Sequence, residues 1–130
     1  MTFPRVVLLV SAGAFAFFGA WALVAPANQL ALVDVGLPNA TATADTRAQY
    51  GGFTLGMGVF LFVCVARREW TSAGLAASAC TLSGFVLARG ASVVIDGSVR
   101  PVIFYLMAGE GSGAVLSFVG WRVNAKHRAK

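Results

Sequence analysis

The stretch VIFYLMAGEGSGAVLSFVGW, Val102 to Trp121, decides the fold. Its 20 residues carry one charge, Glu110, near the middle. Coiled at about 1.5 Å per residue, the stretch measures about 30 Å, the thickness of a bilayer's hydrocarbon core. A carboxylate placed there must find a partner, stay protonated or face water, because a charge left in hydrocarbon costs on the order of several kcal/mol. One run of sequence thus points both to a fold class and to a site.

Three more apolar blocks precede it, giving spans at about 6–24, 50–66, 71–95 and 101–121, the second starting at residue 50 or a turn earlier. With 58% hydrophobic and 12% charged residues, the chain departs from the globular mix, in which roughly a quarter of residues are charged. Residues 1–130 are expected to form one domain, an all-α integral membrane bundle of four transmembrane helices. The first block is longer than the roughly 7–15-residue core of a signal peptide, which favours a retained span over a cleaved leader. Arg67-Arg68-Glu69-Trp70 forces a hairpin between spans two and three. Asp96-Gly97-Ser98 makes a tight turn before Pro101, which suits the first turn of the last helix. The connection from Pro26 to Gln49 is long and partly apolar, suited to lying on the surface or capping the bundle, with Thr41–Asp45 starting the second helix.

The net charge of +5 does not point to nucleic acid, because the basic residues stand at the ends of apolar blocks. With both termini cytoplasmic, Arg5, Arg67, Arg68, Arg122, Lys126, Arg128 and Lys130 lie inside and Arg47, Arg89 and Arg100 outside, seven against three. That bias orients the chain in a cell inner (plasma) membrane with its termini on the cytoplasmic side. Trp70 and Trp121 suit the inner interface as aromatic anchors. Cys64 and Cys80 fall at different depths on neighbouring helices, so they read as packing residues rather than a disulfide. The only histidine, His127, is in the basic tail, so no metal site or cofactor is expected.

Gly52 and Gly56, and Gly109 and Gly113 with Ser117, are spaced four apart. Small residues at that spacing let membrane helices approach closely, within one bundle or between copies of it in a homo-oligomer. Arg89 lies roughly 9 Å below the end of span three, and Glu110 roughly 13 Å below the start of span four. Those depths match within an arginine's reach, so an Arg89–Glu110 pair is expected. Asp96 is seven residues after Arg89, on the same helix face with Ser92 between them. Arg47, Asp45 and Tyr50, at the head of span two, complete an outer polar cluster. The cluster has two readings. In one, Arg89–Glu110 holds helix register while Asp96 caps the turn; in the other, the group lines a cavity that binds a ligand or relays protons.

Arg47-Ala48-Gln49-Tyr50-Gly51-Gly52, the helix carrying Gly56 and Gly58, Arg89 followed by Asp96-Gly97, and Glu110 together resemble domain-of-unknown-function family 4345. These are small bacterial four-helix membrane proteins, and the resemblance runs from Pro26 to Trp121. Asp45 departs from it, standing where members carry glutamate. The resemblance implies a four-helix membrane fold and no assigned activity. More loosely, the architecture is similar to DoxX-type proteins, an analogy of fold alone.

The function read from the sequence is that of a small accessory or ligand-binding membrane protein, its polar site built from Arg47, Tyr50, Arg89, Asp96 and Glu110. Its partners would be the bilayer, a small polar or anionic ligand, or another membrane protein. The alternative is a small transporter with Glu110 as its proton- or substrate-coupled carboxylate, although the arginine and lysine bias argues against dual-orientation multidrug transporters. A lipid-modifying membrane enzyme has the least support, since no nucleophile–base spacing is visible.

Overall fold

A computed structural model describes residues 1–128, which are helical with no strand among them. The elements are α1 (Phe3–Val24), α2 (Pro26–Ala31), α3 (Ala40–Thr46), a π-helical segment (Arg47–Phe53), α4 (Thr54–Ala66), a 3-10 turn (Arg68–Trp70), α5 (Thr71–Asp96) and α6 (Val102–Arg128). Four stretches are long and apolar enough to cross a membrane: Phe3–Val24, Ala40–Ala66, Arg68–Asp96 and Val102–Lys126. The second joins α3, the π segment and α4, so it begins about ten residues before the expected Tyr50. The start of α1, the α4–α5 link and the end of α6 share one end of the bundle, the terminal end. The long connection and the α5–α6 turn share the other, the loop end.

The long connection is more ordered than its composition suggests. Pro26 opens α2, where its missing N–H costs nothing. Asp34 closes it in the left-handed region at φ 60°. The Val35 amide bonds Leu30 O at 3.1 Å and the Asp34 amide bonds Ala31 O at 3.3 Å, the two bonds of a Schellman end. Asn39 then caps α3, its side chain accepting from the Ala42 amide at 2.9 Å.

Packing falls into two hairpins. In the first, α1 lies on α4 and the π segment, with backbones nearly touching. A Cβ added to Gly58 would come within 2.7 Å of the Ala16 amide nitrogen. A Cβ on Gly19 would overlap Leu55, and one on Gly51 would meet Leu23. In the second, α5 and α6 pair through polar groups: Ser78 and Ser117 share a fully buried hydroxyl–hydroxyl bond of 3.0 Å, and Asn124 Nδ2 donates to Ser72 Oγ at 2.7 Å. The hairpins are knit at the terminal half by Val7, Leu8, Ala12, Phe15, Leu61, Cys64 and Leu75. There Gly74 rests on Cys64 and Leu8, and Gly120 on Leu75 and Pro4. Arg5 adds a tie, donating from Nη2 and Nε to Val65 O at 2.7 and 3.2 Å, one of the carbonyls left over at the end of α4.

Toward the loop end the hairpins lose this packing. The buried residues of α5 all fall within Thr71–Ser78, although the helix runs on to Asp96. Those of α6, among the described residues, are Ala114, Ser117 and Gly120.

The glycine expectation needs correction within a single chain. Gly56 and Gly109 face open space, and a Cβ on Gly52 would meet only Arg47 O, at 3.8 Å. Of the four expected packing glycines only Gly113 makes a close contact, with Leu82. The close approaches belong instead to Gly19, Gly51, Gly58 and Gly74, because α1, rather than the spacing within one helix, decides which stripe of α4 is covered. Cys64 is buried as a packing residue but Cys80 is exposed, and both are free.

Gly58→Val is expected to destabilise the detergent-solubilised protein by about 1–3 kcal/mol, through backbone overlap. Gly56→Ala should hold or raise stability by up to about 1 kcal/mol, since helix propensity improves and nothing is displaced. Thermal unfolding of both variants checks this; equal losses would show that the Gly56 stripe is covered.

Candidate functional site

Arg89 and Glu110 stand where α5 and α6 are paired with each other but no longer packed on α1. Arg89 Nε donates to Glu110 Oε2 at 3.0 Å and Nη2 to Oε1 at 2.9 Å, a two-pronged ion pair. The antiparallel register that brings them together is the one that also aligns Ser78 with Ser117 and Ser72 with Asn124. Glycines at 109, 111 and 113 flank Glu110 and leave its side chain room to lie along the α5 surface.

The pair is not sealed. The Arg89 side chain is 30% exposed and that of Glu110 15%. Beside it a cleft of about 230 Å³ is lined by Ala88, Arg89, Ser92, Val99 and Ile103, running from the guanidinium toward the α5–α6 turn. Both carboxylate oxygens are engaged, whereas a guanidinium has five N–H groups and only two are directed at Glu110. The spare donors belong to the residue that lines the cleft. Chemically the site offers hydrogen bonds and partial positive charge to an acceptor, against a wall that is otherwise one hydroxyl and three aliphatic side chains.

The other expected site residues divide. Tyr50 is 56% exposed and lies within electrostatic reach of Arg89. The π segment supplies the reason: a wide turn at Arg47–Phe53 resets the register between α3 and α4, so Gly51 presses on α1 while Tyr50 stays free of it. Arg47 turns to a structural task, its Nε donating to Leu23 O near the end of α1 at 3.0 Å. Asp96 is the exposed last residue of α5 and its carboxylate does not cap the turn. Gly97 does that, at φ 81°, with its amide on Val93 O at 3.2 Å.

Two ties escaped sequence reasoning. Arg100 Nη1 meets Asp34 Oδ1 at 2.7 Å, joining the α5–α6 turn to the Schellman end of α2. Gln29 donates to Phe18 O at 3.0 Å while its own Oε1 is buried without a partner among the described residues. Asp34 and Arg100 sit 66 residues apart in loops whose fold has no periodic signal, so only opposite charge on the same side of the membrane hinted at them. Among the described residues no three histidine, cysteine, aspartate or glutamate side chains gather as metal ligands.

Fold and site together define an all-α, multi-pass membrane protein with an arginine–glutamate pair between its last two helices. Residues 3–121 match the family described as Domain of unknown function (DUF4345), and the chain belongs to that family. No curated protein and no solved structure matches it.

Glu110→Gln is expected to destabilise the purified protein by about 1–3 kcal/mol, because Arg89 is left with an uncharged, half-matched partner. Neutralising Arg89 as well should recover part of the loss. A double-mutant cycle in thermal unfolding measures the coupling; a value within about 0.5 kcal/mol of zero would mean the pair holds nothing together.

Proposed function

We propose that this protein is a small ligand-binding or accessory protein of a bacterial inner membrane, with both termini cytoplasmic and its site in the outer half. A small polar or anionic ligand is held at Arg89, and Glu110 fixes the guanidinium in position. The observation that carries this reading is the cleft against Arg89. A pair serving register alone gains nothing from an open space beside it, and its arginine would be expected to have its remaining donors covered. Here two N–H groups orient the side chain on Glu110 and the others stay available. Ser92 adds a hydroxyl to the same wall.

The orientation rests on the basic residues, seven of which fall at the terminal end or in the tail against three toward the loop end. Proton-coupled transport fits less well. A carboxylate that carries protons must exchange its partner, whereas both oxygens of Glu110 are held by one arginine. Enzymatic turnover fits less well too, because no nucleophile–base spacing is visible around the pair.

Ser92→Cys in a Cys80→Ala background tests orientation and hydration together. Membrane-impermeant maleimide is expected to label it in intact cells. Labelling only after the membrane is opened would reverse the orientation, and none in detergent-solubilised protein would mean the cleft is closed to water.

A further inference from the structure

We infer that the ligand is an amphiphile entering sideways from the outer leaflet, its acidic or hydrogen-bond-accepting headgroup on Arg89 and its chain in the uncovered seam between α4 and α5. The inference rests on reading the Arg89 cleft as a ligand site, and adds the class of ligand and its route.

Size is the first argument. At about 230 Å³ the cleft falls below the roughly 300–1,000 Å³ of pockets that enclose a whole small molecule. It holds a headgroup, and the rest of the ligand must lie elsewhere. Its lining says of what kind: Ala88, Val99 and Ile103 offer a free inorganic anion nothing, but suit the first carbons below a polar head.

The seam is the second argument. Gly74 marks the stripe of α5 that faces α4, since it rests on Cys64. Ser92 follows it by 18 residues, five helical turns, and so returns to that stripe at the cleft. Between them, beyond Ser78, α5 has no buried residue. Thr81, Phe85 and Ala88 lie along this stretch, half-buried or exposed. On α4, Met57 packs on the core and forms the floor. Phe53 and Tyr50, one and two turns nearer the loop end, are 60% and 56% exposed. The apolar side chains at the terminal half close the seam below.

Depth is the third. Arg89 lies seven residues before the end of α5, roughly 10 Å along the axis. The polar interface of a bilayer is roughly 5–8 Å thick on each side. The guanidinium, held in place by Glu110, therefore sits just beneath the interface, with its spare donors toward a headgroup that dips to that level. A headgroup meets it there without leaving its own leaflet, and the exposed Tyr50 lies within electrostatic reach of the same guanidinium.

Photolabelling of the full chain in nanodiscs tests this, using dodecyl phosphate with a diazirine in its chain. Saturable labelling is expected within Phe53–Met57 and Thr81–Ala88, displaced by plain dodecyl phosphate and not by inorganic phosphate. Ser92→Trp, which fills the cleft from an exposed position, should reduce it about tenfold while melting temperature and helicity stay unchanged; Arg89→Gln should reduce labelling as much but also lower the melting temperature, because Glu110 loses its partner. Displacement by inorganic phosphate as effective as by the amphiphile would overturn the inference but leave the Arg89 cleft as an anion site. Labelling that never saturates, or that survives Ser92→Trp, would sink both. A stable dimer with the seam shielded from label would also overturn it, with a second copy of the chain as the occupant.

Discussion

A carboxylate on a helix apolar enough to span a bilayer has to be met by another group, and here Arg89 meets it on both oxygens. That requirement fixes how α5 lies against α6. With Arg89 opposite Glu110, the hydroxyls of Ser78 and Ser117 face each other in a fully buried position, and Asn124 reaches Ser72. A helix slid by one turn, about 5.4 Å, would strand all of these polar groups in apolar surroundings. The second hairpin is therefore specified by polar matching, because apolar packing alone is permissive in lipid, where side chains and solvent are equally greasy.

The first hairpin obeys a different rule. Between α1 and α4 the contacts at Gly19 and Gly58 are backbone against backbone, and Gly51 in the π segment leaves room for the Leu23 side chain. Close approach of this kind maximises dispersion contacts that lipid tails cannot match. The two hairpins then share a core only at the terminal half, around Leu8, Leu61, Cys64 and Leu75. The result is a bundle closely packed at one end and open at the other, with the Arg89–Glu110 pair at the margin of the open part. Loop ties such as Arg100–Asp34 span that end without filling it.

Much of this was legible in one dimension. Length and hydropathy of the apolar blocks gave four spans, and depths that agree within an arginine's reach either side of a tight turn paired Arg89 with Glu110. Glycine spacing misled, because a four-residue interval says that small residues share a stripe and not whether another helix lies on it: Gly56 and Gly58 are two residues apart, and only the second meets α1. Asp96 follows Arg89 by seven residues, yet as the exposed last residue of α5 it makes no hydrogen bond or ion pair with the cluster. The π segment had no signal at all, since one widened turn depends on how Gly51 and Arg47 engage the end of α1.

By itself the sequence determined the class of this protein, because the number of consecutive apolar residues is set by bilayer thickness and the charge at Glu110 by the cost of burying it unpaired. Tertiary structure alone decided whether that charge is enclosed. The separation of the two hairpins toward the loop end, and hence the cleft beside Arg89, follows from which helix covers which stripe over distances of tens of residues, and no local pattern of residues carries that information.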